Sequence, residues 1–290
     1  MTSSRLESSP NIHQRLGPYE VAAATGFGPR IVSLRRDDSP EILVELAPDI
    51  AIEDDDVGTY RFRGGHRLWV SPEVPEISHV PDDHPCVVDT DTNRLGVIGP
   101  PDSAGFAKEL HLHWDGTRLV VDHIVRWTGE EPTQAAPWAI TQLPLGGTAI
   151  LPMSRTGRGS RHQADASLVL WPYTRLDDPR ISWRERTLLI RTDGAPQNKL
   201  GSGPSPGALG YFKDGYLFTK RFEAALGEPY PERGAVGQVY FGEDFCELES
   251  VGVLTTIEPG GDARHREVWE VAVCPDIESA LAAARAWGPE

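Results

Sequence analysis

Apolar and polar residues alternate along most of this chain. The pattern recurs in YEVAAAT and RIVSLRR, then in RLGVIG, KELHLHW and RLVVDHIVRW. It returns in DASLVLW, RTLLIRT, YLFTKRF, GQVYFGEDFCELES and REVWEVAV. A period of two marks strands with one face buried. The segments are short and separated by turn residues, with 29 Gly and 25 Pro in the chain. That combination predicts an all-β, many-stranded antiparallel sandwich or barrel. A short helix should close the chain at DIESALAAARAWG, with Asp276 as its N-cap and Gly288 as its stop. A second short helix is expected around Val44–Ile50. Residues 1–15 are polar and Ser-rich and read as a frayed tail. Residues 16–290 show no linker or composition shift and read as one domain. Two Pro-rich stretches, 196–207 and 225–234, are long enough to line a site as loops.

Composition narrows the function. A hydrophobic fraction of 39% in 290 residues can bury a core. The net charge of −15 repels polyanions, so nucleic acid and anionic membranes are poor partners and a small molecule is the expected ligand. Cys86, Cys246 and Cys274 are widely spaced and form no metal or redox motif, which suits buried free thiols in a reducing compartment. MTSSRLESSP carries no secretory signal pattern, and no run approaches the ~20 apolar residues of a membrane span. A cytoplasmic monomer or homodimer is expected.

Four groups of residues are candidates for chemistry. In FCELES, strand alternation puts Glu247 and Glu249 on one face, ~7 Å apart. Neighbouring carboxylates raise each other's pKa and can supply an acid and a base at neutral pH. An ordinary solvated sheet face is the competing reading. In GGHRLW, paired glycines allow close backbone approach, Arg67 offers a donor fork, and Trp69 offers a face for a sugar ring. His66 lies in the same run; a hairpin turn with a structural arginine is the alternative. In ELHLH, the residues Glu109, His111 and His113 share a face. They fit a polar sheet face or a cleft wall better than a closed metal motif, so neither metal nor cofactor is expected. His123 lies on a neighbouring strand. Lys199 in QNKLGSGP and Lys220 in YLFTKRF stand out in a chain with few lysines, although lysines often snorkel from surfaces.

In order, these segments resemble the galactose mutarotase and aldose 1-epimerase superfamily. GFGPRIVSL, HIVRWTG, WAITQLPLGG and FCELESVGVLTTIEPGGDARHREVWEV carry the likeness, from about residue 17 to residue 274. The closest likeness is to a branch with GGHRLW..PE and YFKDGYLFTKRF rather than to authentic sugar mutarotases. The resemblance implies an antiparallel β-supersandwich with a cleft for a carbohydrate-like ligand. It implies Glu249 as general base, Glu247 as its fallback, and Arg67 as a substrate-binding residue. The family's catalytic histidine position, counted back from Gln142-Leu143, falls on Trp138, which cannot exchange a proton. His111, or else His66, would then serve as the acid, with His113, Trp138, Lys199 and Lys220 lining the ligand. The implied function is epimerase-like isomerisation of a cyclic sugar. A carbohydrate-binding domain without turnover, or a lyase or biosynthetic isomerase on the same scaffold, are the alternatives.

Overall fold

A computed structural model describes residues 11–153, 162, 164–204 and 207–287. Its predicted alternation becomes two ten-stranded antiparallel sheets packed face to face. The first sheet runs Ile12–Leu16, Tyr19–Ala23, Arg30–Arg36, His66–Ser71, Thr133–Leu143, Cys246–Val251, Gly237–Phe241, Asn198–Ser202, Leu168–Leu170, with Thr255–Ile257 paired beside Thr133–Leu143. The second runs Ile181–Arg184, Thr187–Arg191, Thr148–Pro152, Ala208–Lys213, Tyr216–Phe222, Asp262–Val273, Leu119–Trp127, Phe106–Trp114, Arg94–Ile98, Val87–Asp91. A separate hairpin joins Ala51–Asp54 to Gly58–Arg61.

Alternation decides which side chains meet. Leu68 and Val70 of the first sheet and Leu110, Leu112, Val121 and Trp269 of the second are buried in one continuous core. Burying each such side chain contributes about 1.5–3 kcal/mol. Strands wanting one apolar face therefore stack in pairs of sheets. The positions between them, Arg67 and Trp69, point away from that core to the outer face of the first sheet. There a smaller cluster forms from Tyr60, Trp69, Trp138 and Ile140, with Ile52 and Phe62 of the hairpin packed against it.

The C-terminal helix spans Ile277–Arg285, and the Asp276 carboxylate accepts from the Ser279 backbone N–H at 2.7 Å. It covers the outer face of the second sheet through Ala280, Leu281 and Ala284, joined by Trp287. Gly288, its expected stop, lies outside the described residues. No helix among the described residues is long and apolar enough to cross a membrane.

Three local expectations need correction. Residues 12–15, read as tail, belong to the strand Ile12–Leu16, because its backbone pairs with Tyr19–Ala23 across a tight Gly17 turn. Residues 1–10 lie outside the described region. No helix forms over 44–50. The Val44 N–H donates to Gln142 O at 3.1 Å, the Val44 carbonyl accepts from Gly65 N–H at 2.8 Å, and Glu45 bridges Gly64. The Val44–Glu45 backbone is thus spent across the chain instead of along a helix. The stretch 196–207, read as a loop, contains the strand Asn198–Ser202. Cys246 and Cys274 are buried free thiols as expected, while Cys86 is only half-buried.

Candidate functional site

The turn Gly64-Gly65 sets the site's entrance strand. Both residues have positive φ, 81° and 77°. A Cβ on Gly64 would lie 1.9 Å from Val44 O, and one on Gly65 would lie 2.2 Å from Ile31 O. The glycines admit neighbouring backbone, so the expected close approach is to the chain itself. The Arg30 guanidinium, fully buried, clamps this turn by donating to Phe62 O at 2.6 Å and to Gly64 O at 2.8 Å.

Beyond the turn, five neighbouring strands present their outward residues to a cleft of about 390 Å3. The register places Trp69 opposite Trp138, Arg67 opposite Ile140, Ile140 opposite Glu249, and Glu247 opposite Tyr240. Lys199 also stands opposite Tyr240. The hairpin contributes Ile52 and Phe62, and Glu73, Tyr173 and Asp244 complete the walls.

Two ion pairs organise the cleft. Arg67 Nη2 donates to Glu247 Oε1 at 2.9 Å, and Gln142 Nε2 donates to the same oxygen at 3.0 Å. The Arg67 guanidinium lies 4.4 Å from the Trp69 ring centre and 5.1 Å from that of Phe62. Lys199 Nζ donates to Glu249 Oε2 at 2.8 Å. It sits between two indoles, 4.8 Å from the Trp138 ring centre and 4.7 Å from that of Trp171. The Trp138 Nε1–H donates to Glu249 Oε2 at 2.8 Å. Glu249 is fully buried directly behind Trp138 and Lys199. Burial pushes its carboxyl up to about 7; Lys199 pulls it down, and the neighbouring charge of Glu247 pushes it up again. Glu249 Oε1, Gln142 Oε1, Gln238 Oε1 and Arg67 Nε and Nη1 are buried polar atoms on this face with no hydrogen-bond partner among the described residues.

The cleft is lined by five of the residues anticipated from sequence, Arg67, Trp69, Trp138, Lys199 and Glu247, with Glu249 buried behind them. The others lie elsewhere. His111 and His113 stand on the Phe106–Trp114 strand of the second sheet, on its outward side, lining a separate surface depression with Asp89, Asp91, Arg94 and Asp122. His111 Nε2 bonds Glu109 Oε2 at 2.8 Å, and His113 lies 4.0 Å from Asp122. Since the two sheets are back to back, His111 cannot share a ligand with Glu249. His66 and Lys220 are fully buried between the sheets, because His66 alternates with Arg67 and Lys220 points inward.

These two interior residues belong to a polar nucleus. Lys220 Nζ pairs with Glu267 at 2.8 Å and donates to Ala139 O, Leu248 O and Thr141 Oγ1, each at 3.1 Å. Ser250 Oγ and Trp269 Nε1 also donate to the Glu267 carboxylate. Burial would raise the Glu267 carboxyl, but Lys220 first and then His123 and His66 hold it far below its ordinary range. His66 Nε2 meets His123 Nε2 at 2.8 Å. His123 Nδ1 faces His265 O at 3.1 Å, which makes Nδ1 the donor and Nε2 the acceptor in the neutral ring. His66 therefore donates from Nε2 and accepts from Thr141 Oγ1 at its Nδ1, 2.9 Å away. His66, His123 and Glu267 offer ligand atoms within 4.8 Å of one another. The His66–His123 hydrogen bond and the adjacent ammonium of Lys220 oppose a cation there.

Sequence reasoning missed Tyr173, Tyr240, Asp244 and Gln197 at the cleft wall, and the fully buried Gln142 and Gln238 beneath it. Gln142 and Gln238 share the cleft face by the same two-residue period that identified Glu247, so that signal was present. Tyr173 lies outside any strand, and no pattern announces it.

No protein-family model matches the chain, and no curated protein matches it either. Solved structures do. A galactose mutarotase-like protein from Lactobacillus casei ATCC 334 superposes with a TM-score of 0.57 at 12% identity, over 91% of this chain and 100% of that one. The chain has the galactose mutarotase-like fold. A galactose mutarotase related enzyme from Lactobacillus acidophilus aligns with a TM-score of 0.51 at 10% identity, covering 92% of this chain and 99% of that one. The Slr1438 protein from Synechocystis sp. PCC 6803 aligns at 0.56 and 13% identity, over 91% and 96%. Identities this low carry the galactose mutarotase-like architecture and leave the chemistry to the residues of the cleft.

Proposed function

We propose that the cleft binds a sugar-like cyclic compound and interconverts its anomers by general acid/base chemistry. The observation that carries this reading is Glu249: a buried carboxyl at about 7, with one oxygen held by Lys199 and Trp138 and the other unpartnered. A carboxyl near neutrality both takes and returns a proton efficiently. Glu249 takes the proton of the anomeric hydroxyl while Lys199 gives one to the ring oxygen. The bond from the anomeric carbon to the ring oxygen breaks, the carbonyl forms, the carbonyl end rotates, and the reverse transfers close the other anomer. Arg67 and Gln197, both on the cleft wall, orient hydroxyls, which donate and accept. Trp69 and Trp138 supply ring faces.

A second reading, binding without turnover, draws on the burial of Glu249 and on Trp138 at the position where the fold family's acid would stand. Proton exchange NMR on free aldoses separates the two. Faster anomer exchange with protein, abolished by Glu249→Gln, supports the isomerase. Ligand line broadening without faster exchange supports the binding domain and overturns the isomerase.

A further inference from the structure

A lysine that gives up its proton inside an enclosed cleft becomes a nucleophile. The chain's lysines are Lys108, Lys199, Lys213 and Lys220. Lys220 is sealed between the sheets, Lys108 pairs with Asp102, and Lys213 stands half-exposed beside Asp214. Lys199 lines the cleft, with its ammonium between the Trp138 and Trp171 rings and 2.8 Å from Glu249 Oε2. Its side chain is 5% exposed, so the indoles keep most water from the nitrogen. The backbone that carries it is fixed as well. Asn198 Oδ1 accepts from the Lys199 N–H at 2.9 Å, and the Lys199 carbonyl accepts from Thr174 Oγ1 at 2.6 Å. The same Thr174 hydroxyl accepts from the Trp171 N–H at 2.8 Å, which ties the second indole to the lysine's strand.

Ring opening changes what this nitrogen can do. In the acid/base sequence above, Lys199 ends as a neutral amine and Glu249 as a carboxylic acid. The oxygen that receives the lysine proton was bonded to the anomeric carbon. The nitrogen lone pair therefore stands beside a newly formed aldehyde. Holding the two together turns a slow bimolecular addition into a step within one complex.

Resting on the acid/base reading of the cleft, we propose that Lys199 captures the ring-opened sugar as a reversible imine. The amine adds to the aldehyde carbon, and the carbonyl oxygen takes the proton held by Glu249. The added nitrogen returns one proton to Glu249, which passes it to the new hydroxyl. That oxygen leaves as water while the nitrogen lone pair forms the C=N bond. Amine, aldehyde and carboxylic acid have become a protonated imine, water and the Glu249 carboxylate, with no change of oxidation state. The imine cation occupies the place of the ammonium, against the same carboxylate and the same two indole faces, which favour a cation there.

The test is reductive trapping. The full chain is incubated at neutral pH with equimolar D-glucose, D-galactose and D-mannose and sodium cyanoborohydride, then digested and mapped by mass spectrometry. The Lys199 peptide should carry one reduced hexose, formed at least about tenfold faster than the adduct on Lys213, which reports ordinary surface reaction. In isotope-labelled water without reductant, imine turnover should also place solvent oxygen on the anomeric carbon faster than the free sugars take it up. Lys199→Arg should lose this exchange, since it keeps a cation beside Glu249 but forms no imine. An adduct at Lys199 no faster than at Lys213, or label uptake unchanged by the protein, overturns the imine. Proton exchange NMR on the same sugars reports on the reading beneath it. Faster anomer exchange without trapping at Lys199 leaves the isomerase standing, and absence of both overturns both.

Discussion

Lys220 offers the sharpest test of the physics of the interior. It is fully buried and lies 2.8 Å from an equally buried Glu267. Lys220→Met keeps most of the side-chain volume but removes the cation. The Glu267 carboxylate then retains only Ser250 and Trp269 as donors, and the carbonyls of Ala139 and Leu248 lose theirs. Breaking one side of a buried ion pair costs about 3–5 kcal/mol. Unfolding entropy of about 2.1 cal/mol/K per residue, over 290 residues, converts this to a fall of roughly 5–8 °C in Tm. The pH dependence has a definite sign. In the wild type the Glu267 carboxyl is held below its ordinary value, so it stabilises above that value and the contribution fades in acid. In the variant burial acts with less opposition and the carboxyl moves upward. Both trends make the deficit largest at neutral pH and smaller as pH falls through ~4.5. Lys220→Met with Glu267→Gln should recover at least half of the loss, because glutamine keeps an acceptor for Ser250 and Trp269 without the charge. Denaturant titration followed by tryptophan fluorescence, at neutral and acidic pH, measures all of this. A deficit under about 1 kcal/mol that does not change with pH would refute the claim that the ammonium holds Glu267 ionised.

Other outcomes follow from the cleft. The Glu249 carboxyl carbon should titrate near pH 7 by NMR of glutamate-labelled protein, and a midpoint below about 5 would contradict its burial. Because the folded carboxyl holds its proton more tightly than the unfolded one, this group stabilises the fold in acid. That contribution is lost as pH rises through 7. Arg67→Met should leave Glu247 without its cation and weaken ligand binding by about tenfold or more, as calorimetry would show. Gly64→Ala should destabilise by more than about 1 kcal/mol in thermal melts, since its Cβ would meet Val44 O at 1.9 Å; a neutral effect would argue against the turn as described.

Much of this architecture is readable from one regularity. The two-residue period identified the strands and placed Glu247 and Glu249 on a common face without any structure. It also separates His66 from Arg67, so parity places His66 on the interior face, away from any ligand on the Arg67 side. The same period correctly groups His111 with His113. Which sheet carries them is a matter of topology, which depends on pairings across more than a hundred residues, such as Arg126 with Asp262. Lys199 reads from sequence as a loop residue. The Gly and Pro around it mask a strand whose edges are satisfied by Leu168–Leu170 and Gly237–Phe241. Lys220 drew notice as a lysine within a strand pattern, and its inward direction follows from its apolar neighbours' parity only once the partner carboxylate is known.

The interior ammonium has a geometric consequence. Apolar packing has no preferred direction, so two sheets joined only by leucine and valine can slide relative to each other at small cost. Lys220 belongs to the second sheet, and its bonds end on backbone carbonyls of the first, at Ala139 beside Trp138 and at Leu248 between Glu247 and Glu249. Hydrogen bonds have narrow ranges of length and angle. The bonds of Lys220 fix the offset between the layers directly under the strands whose outward residues form the cleft.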